Sequence, residues 1–264
     1  MNPFLNTAVK AAREAGEIVM RAYDRLEQVA INEKGHNDLV TEADYASEQH
    51  IIETLQTAYP SHAILAEENG EIPATEKNDD ENLWIIDPLD GTCNFSHGYP
   101  HFCISIALQH KGKIHVGVVY DPIRQDLYTA TRGGGAQKNN HKIRVSKTTQ
   151  LAKSLVTTGF PYKKQEDYHK YFVCLESVAR ECHGIRRSGA AALDLAHVAA
   201  GHSDGFWEDG LKIWDMAAGA LIVREAGGLV SDFTGGEDYL SSGKIIASTP
   251  KIMKPLFQLV RPLN

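Results

Sequence analysis

The hexapeptide DPLDGT at residues 87–92 has the residue types and spacing of a metal site. Its proline fixes one backbone φ angle, and its glycine allows the chain to approach a ligand closely. Asp87 and Asp90 can therefore point into one pocket, while the carbonyl of Leu89 remains available as a further oxygen ligand. Oxygen-only ligands favour a hard cation, magnesium before zinc.

The residues after this pair predict an anion site. The amides of Gly91, Thr92 and Cys93 would open a helix, and a helix N-terminus binds phosphate readily. Two carboxylates beside such a turn indicate metal-assisted phosphate chemistry. An isolated Asp-x-x-Asp is more often a solvated loop or a turn cap, so the hypothesis depends on what surrounds it.

Acidic residues also follow other apolar, strand-like runs. Residues 63–66 lead to Glu67 and Glu68, residues 83–86 lead to Asp87, and residues 205–207 lead to Glu208 and Asp209. Several carboxylates at the rim of a sheet are tolerated together only with a cation or a hydrogen-bond network. The pattern predicts one acidic pocket built from strand ends.

The first half of the chain predicts two helices followed by a meander of strands. Apolar residues recur at helical spacing over 3–27 and 42–58, and Thr41 is a suitable N-cap for the second helix. Residues 69–82 are polar and acidic and indicate a surface loop. Strands are predicted at 63–66, 83–86, 102–109, 115–120 and 126–131. The short turns from 83 to 131 leave no room for crossover helices, so those strands should be antiparallel neighbours.

The second half alternates strands with helices. Strands are predicted at 154–158, 205–207, 228–232 and 244–248, and helices at 167–180, 190–200, 215–226 and from 252 onward. No linker rich in Pro, Ser or Gly separates the halves. We therefore predict an α+β fold in a single domain over 1–264, with tightly packed halves at about 1–150 and 151–264.

Composition excludes several other classes. The 264 residues carry 27 Lys+Arg and 34 Asp+Glu, so the net charge of −7 disfavours a protein that coats nucleic acid. No apolar run reaches the roughly 18 residues of a membrane span, and the N-terminus lacks the apolar core of a secretory signal. We therefore expect a cytoplasmic protein with no membrane partner.

Three motifs together resemble one enzyme family. DPLDGT at 87–92, WDMAAG at 214–219 and EAGG at 225–228 are similar to the signatures of the inositol monophosphatase family, which comprises lithium-sensitive, magnesium-dependent phosphatases. Residues 192–196 and 230–236 resemble the bacterial SuhB branch of that family. The resemblance extends from 39–44 to 244–248 and implies a layered α/β/α/β/α sandwich and a homodimer.

The resemblance also implies a role for individual residues. Two to three Mg²⁺ ions would be held by Glu67, Asp87, Asp90, Asp215 and the Leu89 carbonyl. Thr92, with Asp44 behind it, would orient and deprotonate the attacking water, and Glu68 would lie close to the metals. The amides of Gly91, Thr92 and Cys93 would bind phosphate, and Asp90, Ala191, Glu208 and Asp215 would contact substrate hydroxyls. Lys34 would lie on a lid, and Cys93 stands where the family often has a second threonine.

The implied reaction is hydrolysis of a small phosphorylated polyol by metal-activated water, with myo-inositol 1-phosphate as the leading substrate. A bisphosphate nucleotidase, a fructose-1,6-bisphosphatase and a histidinol-phosphatase-like enzyme remain alternatives. A hypothesis of another class comes from the SuhB branch, which is associated with transcription antitermination. On that hypothesis the chain binds Nus factors and RNA polymerase.

Overall fold

The computed structural model describes residues 2–35, 38–76, 81–161 and 168–263. Within these ranges the helices are α1 (Pro3–Tyr23), α2 (Glu42–Ala58), α3 (Thr92–Ser96), α4 (Tyr168–Glu181), α5 (Ala191–Ala200), α6 (Ile213–Glu225), α7 (Tyr239–Ser242) and α8 (Pro250–Val260). None of the helices in this part of the chain combines the length and the apolar character that crossing a membrane requires.

The strands of the same ranges are β1 (Ile31–Gly35), β2 (Asp38–Thr41), β3 (Ala63–Ala66), β4 (Gly70–Ile72), β5 (Asn82–Asp90), β6 (Cys103–His110), β7 (Lys113–Asp121), β8 (Asp126–Thr131), β9 (Gly135–Lys138), β10 (His141–Lys142), β11 (Leu155–Thr158), β12 (Gly184–Arg186), β13 (Gly205–Asp209), β14 (Leu229–Ser231) and β15 (Lys244–Ser248). Among the described residues, the larger sheet has the order β10-β9-β8-β7-β6-β5-β3-β4 and the smaller sheet the order β12-β11-β13-β15-β14.

The larger sheet carries the 87–92 segment on β5. The pairs β5–β6, β6–β7 and β7–β8 are antiparallel, which confirms the predicted meander. In contrast, β3 runs parallel to β5, and its last residue, Ala66, pairs with Ile86. Glu67 leaves the sheet there, beside Asp87, which continues in β5 and pairs with Ser105.

Helices and sheets alternate in five layers. Helices α1 and α2 pack on one face of the larger sheet, and their apolar side chains share a core with Trp84, Ile104 and Val118. Helices α5 and α6 lie between the two sheets, and α4 and α8 cover the outer face of the smaller sheet. This α/β/α/β/α arrangement confirms the predicted fold class.

Some predicted boundaries are wrong. Helix α1 ends at Tyr23 rather than at residue 27, and its last turn is followed by an αR residue, Asp24. The predicted loop at 69–82 contains β4, which pairs antiparallel with β3 at the sheet edge. The turn at Gly133 and Gly134 leads into β9, and the amides of Gly133 and Gly135 each donate to the Glu225 carboxylate at 2.8 Å.

Candidate active site

The turn at 87–92 is shaped by a glycine in the left-handed region. Gly91 has a φ of 97°, and a Cβ there would lie 3.1 Å from the backbone oxygen of His101. Both the backbone conformation and the close approach therefore require glycine. The chain leaves β5 at Asp90 and enters α3 at Thr92, so the carboxylates and the helix opening share one corner.

Asp87 lies at the centre of the predicted ligand set. Its side chain is buried, and its Oδ1 accepts a hydrogen bond from the Leu89 amide at 3.0 Å. Burial raises the pKa of Asp87 well above its usual value, and the nearby charges of Glu67, Asp90 and Asp215 raise it further. The structure thus brings these predicted metal ligands together.

Asp90 is held by the second half of the chain. Its Oδ2 accepts a hydrogen bond from the Ala192 amide at 2.7 Å, in the first turn of α5. Burial raises the pKa of Asp90 to about 7, although the Ala192 hydrogen bond opposes this. The predicted substrate contact Ala191 is the first residue of the same helix and is buried beside it.

Asp215 approaches the site from the start of α6. It is half-buried, and its Oδ2 accepts a hydrogen bond from the Lys212 amide at 2.7 Å, which caps the helix. The preceding carbonyl, of Trp214, accepts a hydrogen bond from the Ser105 hydroxyl on β6 at 3.1 Å. This contact ties the start of α6 to the sheet that carries Asp87.

Thr92 and Asp44 are hydrogen-bonded as the predicted roles require. The Thr92 hydroxyl lies 2.9 Å from Asp44 Oδ1 and 3.0 Å from the Leu89 carbonyl oxygen. Asp44 Oδ2 accepts from the Thr41 amide at 2.8 Å and from the Thr41 hydroxyl at 2.6 Å, so Thr41 caps α2 as predicted. Burial raises the pKa of Asp44 to about 6 despite these hydrogen bonds. Leu89 keeps a second lone pair on its carbonyl oxygen for another partner.

Two further residues on α2 were missed by the sequence reasoning. Ser47 and Glu48 are fully buried and, with Asp44, form what we call the α2 polar stripe. The Ser47 hydroxyl donates to the Pro88 carbonyl at 2.8 Å. The Glu48 carboxylate accepts from the Glu68 amide at 2.9 Å and from the backbone and side-chain amides of Asn69 at 2.9 and 2.7 Å.

The α2 polar stripe therefore connects both acidic turns to one helix. Asp44 holds the turn that follows β5, whereas Glu48 holds the turn that follows β3 and carries Glu67 and Glu68. Burial raises the pKa of Glu48, and the charge of Glu68 adds to the rise. Polar residues at positions i, i+3 and i+4 of a helix share one face, and this spacing was the signal in the sequence.

A second acidic group lines the other side of the pocket. Glu208 follows the buried Trp207 on β13, and a Cβ on Gly159 would lie only 1.8 Å from its Oε1. Burial raises the pKa of Glu208 well above its usual value, with a contribution from the charge of Asp194. Asp194, also missed, is buried with its Oδ1 lacking a hydrogen-bond partner among the described residues, and burial raises its pKa to about 8.

Two predicted residues stand apart from this buried set. Cys93 is exposed in the first turn of α3, and its carbonyl accepts a hydrogen bond from the Ser96 hydroxyl at 3.0 Å. Lys34 belongs to β1, but its side chain lies outside the described residues, so its lid role stays a prediction.

The carboxylate cluster fits a divalent cation by its chemistry. Its donors are all oxygens, which suits Mg²⁺, and its buried acids raise one another's pKa, an effect that a cation would reverse. Within the described ranges, no three Asp, Glu, His or Cys side chains have the spacing of a formed metal site. An ion would therefore have to draw these carboxylates together.

Comparison with known proteins agrees with this geometry. Residues 1–262 match the inositol monophosphatase family. A protein of Pseudomonas aeruginosa named Nus factor SuhB is 50% identical over 264 residues, which cover 99% of this chain and 97% of that protein.

Two solved structures are similar over almost the whole chain. The extragenic suppressor protein SuhB of Bartonella henselae has a TM-score of 0.95 and 44% identity, covering 98% of this chain and 99% of its own. An inositol monophosphatase from Anabaena has a TM-score of 0.85 and 40% identity, covering 97% of this chain and 94% of its own. The chain therefore belongs to the inositol monophosphatase family.

Proposed function

We propose that this protein hydrolyses a small phosphomonoester in a magnesium-dependent reaction, with myo-inositol 1-phosphate as the leading substrate. The observation that carries the proposal is the convergence of Glu67, Asp87, Asp90 and Asp215 beside the Thr92–Asp44 hydrogen bond. Family membership supports phosphatase activity. The geometry supports water as the nucleophile, because the Thr92 hydroxyl can position a water molecule and the buried Asp44 carboxylate can accept a proton.

Each group of residues has its own task in this reaction. Glu67, Asp87, Asp90, Asp215 and the Leu89 carbonyl would hold the Mg²⁺ ions. When bound, Mg²⁺ supplies the positive charge that activates water and stabilises the leaving alkoxide. Thr92 orients the attacking water; its hydroxyl oxygen takes up the proton that the water loses, while its own proton passes to Asp44 through the hydrogen bond of 2.9 Å. The amides of 91–93 bind the phosphate oxygens.

The far side of the pocket favours a polyol over a bisphosphate. Glu208 and Asp194 lie close enough for the charge of one to raise the pKa of the other. Carboxyl groups exchange hydrogen bonds with hydroxyls, and in their ionised form they repel a second phosphate. The Glu208 carboxyl group occupies space that any side chain at position 159 would fill, so the glycine there is what allows Glu208 its position.

Replacing Asp87 with Asn tests the proposal. Asp87→Asn keeps an oxygen that can accept the Leu89 hydrogen bond but removes the central negative charge. Magnesium-dependent phosphate release from inositol 1-phosphate should be abolished, while the circular dichroism spectrum stays that of the unmodified protein. Asp24→Asn, at an exposed carboxylate after α1, is the matched control. Near-normal turnover in Asp87→Asn would refute the assignment.

A panel of substrates tests the substrate class. Fructose 1,6-bisphosphate, a nucleoside 3′,5′-bisphosphate and histidinol phosphate should be poorer substrates than inositol 1-phosphate, as judged by kcat/KM. Lithium should inhibit the reaction, and we also expect a homodimer by light scattering. A bisphosphate with the highest kcat/KM would overturn the role given to Glu208.

A second candidate function rests on the names of the relatives. Curated relatives from Pseudomonas aeruginosa and Escherichia coli are called Nus factor SuhB. We propose that this chain also binds Nus factors and RNA polymerase, through a surface independent of the metal carboxylates. Immobilised protein should retain these partners from a mixture of purified transcription factors, and Asp87→Asn should retain them equally. Absence of binding by the unmodified protein would refute this second function.

A further inference from the structure

A basic cleft lies at the end of α6 opposite to Asp215. It has a volume of about 190 Å³ and is lined by Lys113, Arg132, Arg224, Glu237 and Tyr239, among others. Arg224 is nine residues after Asp215 on α6, which corresponds to about 14 Å along the helix axis. The cleft is thus separate from the acidic pocket.

Two of the three positive side chains of the cleft lie near one aromatic ring. The guanidinium of Arg224 stacks over the Tyr239 ring, with 5.6 Å from its Cζ to the ring centroid. Burial raises the pKa of Tyr239, and the charges of Arg224 and Arg132 both oppose this rise, which places both guanidiniums near the phenol. Lys113 and Arg132 likewise both lower the pKa of His115, after the larger effect of burial.

The donors of the cleft are only partly satisfied by the protein. Arg132 Nε donates to the Ile114 carbonyl at 2.8 Å. Arg224 Nη2 donates to Glu237 Oε1 at 3.0 Å and lies 3.4 Å from the Val230 carbonyl. Arg224 Nε is buried and has no hydrogen-bond partner within the described residues. Lys113 and Arg132 are both exposed, and among the described residues no hydrogen bond engages Lys113 Nζ or the two terminal nitrogens of Arg132. These accessible donors are available to an anion in the cleft.

Charge and shape decide the class of ligand. Three cations face one carboxylate in the lining, and the Glu237 side chain is 79% exposed, so solvent weakens its compensation. Guanidinium groups match the geometry of phosphate, and a lysine adds a point charge. The cleft is small, and the chain as a whole is acidic at −7, which disfavours a long polyanion.

We propose that this cleft, formed by Lys113, Arg132, Arg224 and Tyr239, is a second anion site that binds a small phosphate-bearing molecule. It differs from the acidic pocket in one testable respect. The acidic pocket needs a cation before it can hold an anion, whereas the cleft supplies its own positive charge. Binding at the cleft is therefore independent of magnesium.

The test is an NMR titration of the metal-free protein with inorganic pyrophosphate, in EDTA and about 150 mM salt. Saturable shifts are expected for the backbone amides of Gly133, Tyr239 and Leu240, without matching shifts at 91–93. Arg224→Gln should weaken the binding at least tenfold. Arg224→Gln also removes the contact with Tyr239, so it could disturb the local structure. Lys113→Gln is therefore included as a second variant at an exposed position, and it should weaken binding as well.

Arg186→Gln is the control, because it removes the same charge from an exposed arginine on β12, in the smaller sheet. Equal weakening in Arg186→Gln, or shifts that do not saturate, would overturn the proposal. Tighter binding of a single-stranded RNA 12-mer through the same arginines would overturn its assignment to a small molecule. These outcomes do not depend on phosphatase activity, so failure here and failure of the proposed function are distinguishable.

Discussion

The buried Glu48 offers the sharpest test of how the proposed metal site is positioned. Its carboxylate accepts three hydrogen bonds of 2.7–2.9 Å from Glu68 and Asn69. In Glu48→Gln, one oxygen becomes an NH₂ group that faces an N–H donor. In one orientation of the new side chain, its oxygen keeps the two Asn69 hydrogen bonds and the Glu68 amide loses its acceptor. In the opposite orientation, both Asn69 donors lose theirs. The first orientation costs less free energy because it loses one hydrogen bond rather than two.

The magnitude follows from that lost contact. A hydrogen bond to a charged group contributes about 1.5–3 kcal/mol to stability, and one such bond is lost in the cheaper orientation. For a chain of this size we expect the melting temperature to fall by about 3–12 °C. The turn that carries Glu67 and Glu68 also loses an anchor, so the magnesium concentration for half-maximal activity should rise by about 10–100-fold.

The assays are thermal unfolding and phosphate release across a magnesium titration, with calorimetric titration of Mg²⁺ as a readout independent of turnover. At saturating magnesium, kcat should return to within a few-fold of its original value, because Glu48 does not contact the substrate. The control is Glu53→Gln, the same substitution at an exposed position of the same helix. If the two variants behave alike, or if kcat alone falls, the positioning argument is wrong.

Three other predictions concern the hydroxyl, the acid at the far side and the pH dependence of stability. Thr92→Val should lower kcat by about 10²–10³-fold while Thr92→Ser keeps most of it, and equal loss in both would contradict a role for the hydroxyl. Gly159→Ala should raise KM for inositol 1-phosphate roughly tenfold because the new Cβ would displace Glu208, and an unchanged KM would count against that contact. The fold raises the pKa of Asp90 to about 7 and of Asp194 to about 8, so it favours their neutral forms. This stabilisation is complete below the unfolded pKa of about 4 and is lost as pH rises toward 8, so the melting temperature of metal-free protein should fall over that range and recover with Mg²⁺. A melting temperature that rises with pH in EDTA would refute this sign.

Local patterns predicted the elements that dominate the fold. Helix α2 has the predicted bounds because Thr41 offers a cap and apolar residues recur at helical spacing. The meander from β5 to β8 was predictable because its strands are apolar and its turns are short. The hairpin of β1 and β2 was not predicted, since its residues are mostly polar and its pairing gives it no apolar alternation. Strand β12 is only three residues long and forms because β11 lies beside it.

The candidate site was predictable where a residue follows a strand and less so where it lies within a helix. Asp87 and Glu67 were visible because each directly follows an apolar, strand-like run. Glu48 and Asp194 were missed, because an acid within a helix usually faces solvent. The burial of Glu48 depends on packing against the turn at 67–69, which is distant in the sequence. The burial of Asp194 depends on the packing of α5 against the second sheet. The division near residue 150 stays a prediction.

The hydrogen bond from the Ala192 amide to Asp90 has a consequence for the cohesion of the molecule. Asp90 belongs to β5 of the larger sheet, whereas α5 lies against the smaller sheet as well. One of the proposed metal ligands is therefore oriented by a helix from the second half of the chain. By mass action, an ion that prefers this orientation also resists any local opening that would separate the two sheets. If this protein binds a metal as proposed, the affinity for the metal would depend on how firmly the two sheets are held together.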